Sequence, residues 1–457
     1  MYNVVIIGGG PGGYVCAIRC AQLGLKVALV EAADLGGTCL NRGCIPTKTL
    51  AHTADVIELA RGAADIGVEI PDVKVNFAKV MSRKNRVVAK LKGGIGLLMK
   101  KRKVEVISGR GRLVAKGKVE VMDKVGNVTF IEGENVVLAT GSSPITPAVF
   151  KYDGVNVVTS EELLSLKEMP ESLLIIGAGV VGCEFASIFN SLGARIQLVD
   201  VMPNILPMVD DDVADVVKKE FEKRGISVKV GTKIASVEVF DGEVDAVTED
   251  GEHLRSQKVL LSIGRRPNVM QSIDPALGIE IGKAGEVIVD EHMRTSLASV
   301  WAIGDVTNKN PLAHVASSQG LVAAANIAGK FENMDYTAVP SAIFTNPEVA
   351  SVGISERQAK DNGIQVKVGR FPFLACGKAV SMNETVGFVK VIADLQDKVV
   401  GAQIVGPHAS DLISEVTLAI SNGLSVEQVV KTVHTHPTLS ESVYEACEDI
   451  LGLAVNI

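Results

Sequence analysis

The sequence predicts an α/β chain in which one strand, glycine turn, helix and strand unit occurs twice, followed by a mixed α+β unit. Three observations carry this. The turn Gly8-Gly9-Gly10-Pro11-Gly12-Gly13 has a counterpart in Gly177-Ala178-Gly179-Val180-Val181-Gly182, and Gly8 to Glu31 and Gly177 to Asp200 are both 23 residues. Each copy closes on an apolar strand that stops at glycine, at Gly141 and at Gly264. From about Thr337 the texture changes to alternating strand-like pieces and then to helix, with no third glycine turn.

Taken in order, Val4-Val5-Ile6-Ile7 is a short continuous apolar run, which suits a strand covered on both faces. The glycine turn and a helical stretch follow, then Val27-Ala28-Leu29-Val30-Glu31. Leu173-Leu174-Ile175-Ile176, its glycine turn and Ile196-Gln197-Leu198-Val199-Asp200 repeat the pattern. Gly141 lies 133 residues past Gly8, but Gly264 lies only 87 past Gly177, so the first copy carries about 46 additional residues. That insertion holds Cys39 and Cys44 and is where chemistry is expected. Pro144-Ile145-Thr146-Pro147 and Gly264-Arg265-Arg266-Pro267-Asn268 read as domain exits, where proline and glycine interrupt regular structure.

Composition excludes several functions. The 457 residues, 47% hydrophobic, provide for several buried cores and rule out a disordered or disulfide-stapled chain. With 46 basic against 53 acidic residues the net charge is −7, which argues against nucleic acid and anionic membranes as partners. No run of about 18 apolar residues occurs, and Met1-Tyr2-Asn3 leads directly into a strand, so a soluble cytoplasmic protein is expected. Seven cysteines are too few and odd in number for a secreted framework.

In each glycine turn the first glycine permits the tight bend, the middle one lets a pyrophosphate approach the backbone, and the last lets helix pack on strand. Glu31 and Asp200 end the following strands, where a carboxylate accepts hydrogen bonds from a ribose diol. Two dinucleotides are therefore expected. Asp200 is followed by Val201 and Met202, with no cation for a 2′-phosphate before Lys218, which favours NAD over NADP. Cys39 and Cys44, five apart, are a redox pair, half a metal site or a coincidence. A metal would need two more ligands, and no second cysteine pair or Cys/His cluster has zinc-like spacing, so no metal is expected. Two dinucleotide turns in the same chain favour the redox pair. Cys16 and Cys20 at i, i+4 read as core residues, as do the isolated Cys183, Cys376 and Cys447.

The stretch Gly36-Gly37-Thr38-Cys39-Leu40-Asn41-Arg42-Gly43-Cys44-Ile45-Pro46-Thr47-Lys48 resembles the redox-active disulfide signature of the flavin-dependent pyridine nucleotide-disulfide oxidoreductases. The likeness extends over essentially the whole chain, through Ala139-Thr140-Gly141, Gly304-Asp305 and His434-Thr435-His436-Pro437-Thr438-Leu439-Ser440-Glu441. It implies FAD at Gly8, Gly10, Gly13, Glu31, Thr38, Lys48, Gly111, Thr140, Gly141, Asp305 and Ala313. It implies NAD at Gly177, Gly179, Val180, Gly182, Glu184, Asp200 and Gly264, with Glu184 as the acidic partner of Lys48. The implied map is two Rossmann-like domains, 1–143 for FAD and 144–267 for NAD, a central domain 268–336 completing the FAD site, and an α+β dimerisation domain 337–457.

The resemblance further implies the branch that oxidises protein-bound dihydrolipoamide to lipoamide through a Cys39-Cys44 disulfide and FAD, reducing NAD⁺. In it Cys39 is the interchange thiol, Cys44 faces the flavin, and His436, oriented by Glu441, is the base, coming from the other subunit of a homodimer. His434 reads as structural. The sequence holds no lipoyl domain, so the arm would come from an acyltransferase of a 2-oxo acid dehydrogenase complex or from a glycine cleavage H protein. Arg42 and Thr47 stand where many relatives have valine and serine. Glutathione reductases prefer NADPH and carry basic residues absent at Val201 and Met202, and mercuric and large thioredoxin reductases use a C-terminal cysteine pair where this chain has Cys447 alone. A docking subunit without turnover is the remaining alternative.

Overall fold

Strands β1 (Tyr2–Ile7) and β2 (Val27–Glu31) bury Val4, Val5, Ile6, Ala28 and Leu29 completely, as apolar runs covered on both faces must. They pair in parallel, Val4 beside Val27 and Ile7 beside Val30. Between them helix α1 (Pro11–Gln22) begins on Pro11, whose fixed φ suits a first helical turn and whose missing N–H is not needed there. The computed structural model describes all 457 residues, and their contacts divide into two compact units.

The first unit comprises 1–49, 79–145 and 264–335. Helices α2 (Gly37–Arg42), α3 (Cys44–Gly62) and α4 (Phe77–Lys101) follow β2, the middle of this stretch, 50–78, belonging to the second unit. Strands β3 (Glu105–Ser108), β4 (Arg110–Ala115), β5 (Lys118–Met122) and β6 (Val128–Leu138) come next. The parallel sheet runs β3-β2-β1-β6 and is extended beyond β6 by Val300–Ala302, while the early part of β6 pairs antiparallel with β5, which in turn pairs with β4. Helix Ala313–Ile327 packs on α1 through small residues: a Cβ on Gly320 would lie 2.6 Å from the Gly12 carbonyl oxygen.

The second unit comprises 50–78, 146–263 and 336–457. Its parallel sheet repeats the order of the first four strands, Ser227–Lys229, Arg195–Val199, Ser172–Ile176 and Lys258–Leu261, but its fifth, Val157–Val158, precedes them in the chain; a three-stranded antiparallel annex comprises Ile234–Phe240, Glu243–Thr248 and His253–Ser256. The repeat is thus a repeat of architecture. Glu31 to Glu105 spans 74 residues and Val199 to Ser227 spans 28, so the 46 additional residues all lie between the second and third strands. The C-terminal part is a five-stranded antiparallel sheet, from Ser341–Ile343 at one edge to Lys367–Pro372 at the other, with helices Ala409–Ser421 and Glu441–Ile450.

The chain passes between units at 49/50, 78/79, 145/146, 263/264 and 335/336; the last three lie near the expected borders at 143/144, 267/268 and 336/337, while 50–78 of the expected FAD domain groups with the second unit and the expected central domain with the first. The two expected exits are not irregular. Ser142–Pro144 and Arg265–Pro267 pair antiparallel, and Arg265 donates to the Ser142 hydroxyl and carbonyl at 2.7 Å each. Proline is tolerated because a two-stranded ribbon has only edges.

Lys390 lies in the strand Phe388–Ala393 with no exposed surface. Its ammonium donates to Asp210 at 2.7 Å, to Asp212 at 2.9 Å and to Glu356 at 3.3 Å. The Asp210 carboxylate also accepts the backbone N–H groups of Glu356 and Arg357. Removing one member of such a set strands the others without their counter-charge. Lys390→Met is expected to cost about 3 kcal/mol in urea unfolding, whereas Glu356→Gln, at the open end of the cluster, costs under about 1 kcal/mol.

Candidate active site

The two glycine turns have the same internal logic. Gly8 and Gly177 take φ of +108° and +107°, and a Cβ on either would lie 2.2 and 2.5 Å from the Ala139 and Ser262 carbonyl oxygens. Gly13 and Gly182 bring helix onto strand so closely that a Cβ would lie 1.8 and 1.9 Å from the carbonyl oxygens of Gly8 and Gly177. The middle glycines differ. A Cβ on Gly10 would find only the Gly37 Cα, at 3.9 Å, and one on Gly179 would find nothing within 4 Å. Both are helix N-caps without a side-chain cap, heading helices of 12 and 13 residues. Nothing in the protein forbids a side chain there, and first-turn N–H groups stand without a capping side chain. A pyrophosphate lying against the backbone would supply both the steric reason and the acceptor.

Glu31 and Asp200 are held alike. One Glu31 oxygen accepts the Gly9 N–H at 2.6 Å and the other the Ala33 N–H at 2.7 Å. Asp200 accepts the Ala178 N–H at 2.5 Å and the Met202 N–H at 2.8 Å. Each carboxylate is therefore fixed before any ribose arrives, and each oxygen retains a lone pair for a hydroxyl.

Around the first turn, Asp305 accepts the Ser142 hydroxyl at 2.6 Å, which itself accepts from Arg265. Thr140 donates to the Asn268 carbonyl at 2.9 Å, and the Asn268 amide donates back to the Thr140 carbonyl at 3.0 Å. Gly141 has φ +69° and open space, as does Gly264 at φ +117° apart from Ile145 at 3.5 Å. Gly111 has a packing reason for its small size, since a Cβ would lie 2.9 Å from an Ile7 methyl. Ala313 opens its 15-residue helix, again without a side-chain cap. In the second unit Val180 is the first residue of its helix, and Glu184, buried, accepts the Phe344 N–H at 3.0 Å.

Thr38 and Cys39 lie on α2, and Cys44 is the first residue of the 19-residue α3 with Lys48 one turn on, so the helix dipole reaches Cys44. The segment is clamped to the first glycine turn: the Gly36 N–H donates to the Gly9 carbonyl at 2.8 Å, and a Cβ on Gly37 would lie 2.6 Å from the Gly10 Cα. Both cysteines are half-buried thiols, where the sequence reading has a closed disulfide. They are in hydrogen-bond contact. That bond, then burial and the charge on Cys44, push the Cys39 thiol far above the ordinary thiol range, while Lys48 and the Cys44 N–H pull the other way. One negative charge on the pair thus opposes a second.

In the second unit the His436 Nδ1 donates to Glu441 at 2.8 Å, and the other Glu441 oxygen accepts the Thr438 N–H at 2.8 Å. Burial pushes Glu441 up, but the Thr438 N–H, the His436 hydrogen bond and the charges of His436 and His434 outweigh it and hold the carboxyl below its usual value. The sign follows: the pairing is present at neutral pH and is lost only as pH falls below the ordinary glutamate range, through the lowered value. His436 itself is largely exposed. His434 makes a second pair, with Glu415 at 2.6 Å, and is buried.

Several contributors escape a reading by motif. Tyr14 on α1 lies near Cys39, and burial first, then the charge of Cys39, raise its phenol. The Asn41 amide donates to the Gly37 carbonyl at 2.9 Å and the Leu35 carbonyl at 3.1 Å, holding the approach to Cys39. Only the asparagine between the two cysteines signals this in the sequence. Cys16 and Cys20 are wholly buried with sulfurs 4.0 Å apart. No group of three or more His, Cys, Asp or Glu side chains could hold a metal ion. No helix is long and apolar enough to cross a membrane.

Two dinucleotide turns with a cysteine pair clamped to the first define a class, and sequence comparison gives the same one. The chain belongs to the pyridine nucleotide-disulphide oxidoreductase family, whose pattern matches residues 2–320, with the family's dimerisation domain at 339–447. It is 43% identical to a dihydrolipoyl dehydrogenase of Chlamydia muridarum over 96% of this chain and 95% of that protein. It is 41% identical to a dihydrolipoyl dehydrogenase of Bacillus subtilis over 100% of this chain and 97% of that one. Among solved structures, LpdA from Mycobacterium tuberculosis superimposes with a TM-score of 0.91 at 28% identity, covering 97% of this chain and 98% of that one. The HOCl-induced flavoprotein disulfide reductase RclA from Escherichia coli gives 0.88 at 28% identity, covering 98% and 99%.

The middle and last glycines separate binding from folding. Gly179→Ala is expected to leave the unfolding midpoint unchanged and weaken NADH binding, read by fluorescence titration, about tenfold. Gly182→Ala, which forces the Gly177 carbonyl to move, lowers stability by about 2 kcal/mol.

Proposed function

We propose that this chain is a dihydrolipoyl dehydrogenase: it oxidises a protein-bound dihydrolipoyl group to the cyclic disulfide and reduces NAD⁺ to NADH. The observation that carries the reading is the Cys39-Cys44 thiol pair, in mutual hydrogen-bond contact on a segment clamped to the first glycine turn. The residues present fit FAD at that turn: the uncapped α1 start and the open side of Gly10 for the pyrophosphate, and Glu31 for the ribose. Asp305 and the N-terminus at Ala313 lie in the same unit, and Thr38, Lys48, Thr140 and Gly141 complete the set. FAD, when bound, supplies the two-electron relay between the cysteine pair and NAD⁺. NAD takes the second turn, with Gly177, Gly179, Gly182 and Asp200; the exposed Val201 and Met202 offer no cation to a 2′-phosphate.

The protein's own steps are proton and sulfur chemistry. The substrate thiol needs a base, because only a thiolate attacks sulfur. His436 takes that proton at Nε2, its Nδ1–H fixed on Glu441, which also balances the charge that forms. The substrate thiolate bonds to the Cys39 sulfur, and the Cys39-Cys44 bond breaks with its electron pair on Cys44, at the head of α3. The second substrate thiol gives its proton to the Cys39 sulfur as it displaces it and closes the lipoyl ring, leaving Cys39 a thiol and Cys44 a thiolate, with the first proton on His436. The high affinity of Cys39 for its proton suits that end point, where the one charge rests on Cys44. A largely exposed His436 within the family's dimerisation domain supports a base delivered across a homodimer. The carrier of the arm is an acyltransferase lipoyl domain or a glycine cleavage H protein.

His436→Gln is expected to slow flavin reduction by dihydrolipoamide about 100-fold or more in stopped flow, with the flavin-to-protein ratio unchanged. A rate within a fewfold of wild type removes His436 from the mechanism.

A further inference from the structure

The segment that bears His436 carries a second histidine and carboxylate pair, which the proton chemistry leaves without a task. His434 stands two residues before His436 with its side chain only 8% exposed. Its Nε2 meets a Glu415 oxygen at 2.6 Å, and its Nδ1 meets the Thr432 carbonyl at 2.8 Å. A carbonyl only accepts, and so does an ionised carboxylate, so both ring nitrogens donate and the ring bears the charge that Glu415 balances. The neighbours on helix Glu441–Ile450 do not compete for it. The Tyr444 ring lies 5.5 Å from that of His434 with its hydroxyl spent on Glu448 at 2.5 Å, and burial, then the Glu415 charge, pushes the Cys447 thiol up to about 12, which keeps it neutral.

Little else holds the segment. From Val433 to Pro437 every residue but His434 is exposed, and the backbone N–H groups of Val433, His434, Thr435 and His436 donate no hydrogen bond. The remaining ties are local: the Thr438 hydroxyl donates to the Thr435 carbonyl at 2.7 Å, and His436 donates to Glu441, the first residue of the next helix. Glu441 therefore fixes the His436 ring through one nitrogen, but only His434 fastens the segment to a separate element, helix Ala409–Ser421, which buries Ile413, Val416 and Ala419. We propose that His434, clamped to Glu415, is a positioning residue for the base: it is the second anchor that keeps the open nitrogen of His436 in one place, and it rests on the base assignment proposed above. Misplacing a reacting group by about 1 Å costs up to about 100-fold in rate.

The test follows the two half-reactions of the holoenzyme separately, since NADH reduces the flavin without the base and dihydrolipoamide requires it. His434→Phe keeps a ring beside Tyr444 and removes both donors. It is expected to slow flavin reduction by dihydrolipoamide about tenfold in stopped flow, while reduction by NADH stays within about twofold. Glu415→Ala, at a side chain 33% exposed, reproduces the loss and carries the test should the first variant not fold. His434→Gln, whose amide keeps a donor for Glu415, loses only about threefold. In a His436→Gln background neither His434→Phe nor Glu415→Ala costs anything further, because no base is left to place. Equal slowing of both half-reactions, or a loss that adds in full to that of His436→Gln, overturns the positioning role in favour of general support of the fold. A dithiol rate within about twofold of wild type in both His434→Phe and Glu415→Ala overturns it outright. His436→Gln at the wild-type rate overturns the base assignment, and the positioning role with it.

Discussion

The structure of both nucleotide turns depends on one steric constraint, the approach of a helix to the strand end that precedes it. A carbonyl oxygen under 2 Å from where a Cβ would stand, at Gly13 and again at Gly182, leaves no residue but glycine. Everything about the turn follows. With the helix drawn in, its first N–H groups converge on the middle glycine, and the acidic residue ending the next strand can reach back to the turn. Glu31 grips Gly9 and Asp200 grips Ala178 by the same bond, so carboxylate and helix start are set as one rigid piece. Such a site binds without first ordering itself, which is where much of the cost of binding otherwise lies.

The redox pair borrows that rigidity. Gly36 is hydrogen-bonded to Gly9, and Gly37 stands against Gly10, so the segment bearing Cys39 is fixed to the turn itself. Two thiols so close oppose each other's ionisation; the N-terminus of α3 lies at Cys44, and the Lys48 charge works against the rise of the Cys39 thiol. Position and electrostatics thus come from one insertion, placed between the second and third strands of a sheet whose second copy has none.

What could be read from the sequence was what short-range sterics dictate. The glycine spacing, the acidic strand ends and the apolar strands are consequences of contacts within one unit of about 30 residues, and they recur because the physics recurs. The fifth strand of each sheet was not legible. Val300–Ala302 arrives from downstream and Val157–Val158 from upstream, and neither two- or three-residue segment has a period of its own. The Arg265, Ser142 and Asp305 chain was hidden for the same reason, since its members lie 123 and 163 residues apart. Lys390 breaks an otherwise apolar strand, and only the fold shows the carboxylates that make its burial tolerable.

Duplication and divergence then have a simple physical division. The two sheets share strand order, turn geometry and carboxylate grip, so binding a dinucleotide is the property held in common. Transferring electrons to sulfur needed something a dinucleotide turn does not contain: two thiols held in contact, a helix start to bear charge, and an ordered base. The first two lie in the 46 additional residues of the first copy. The base proposed for it, His436, lies in the C-terminal α+β part, where Glu441 fixes the ring while most of the imidazole stays open to solvent. A histidine so oriented and so exposed has the geometry the proposed base requires, with one ring nitrogen held by a carboxylate and the other open to solvent.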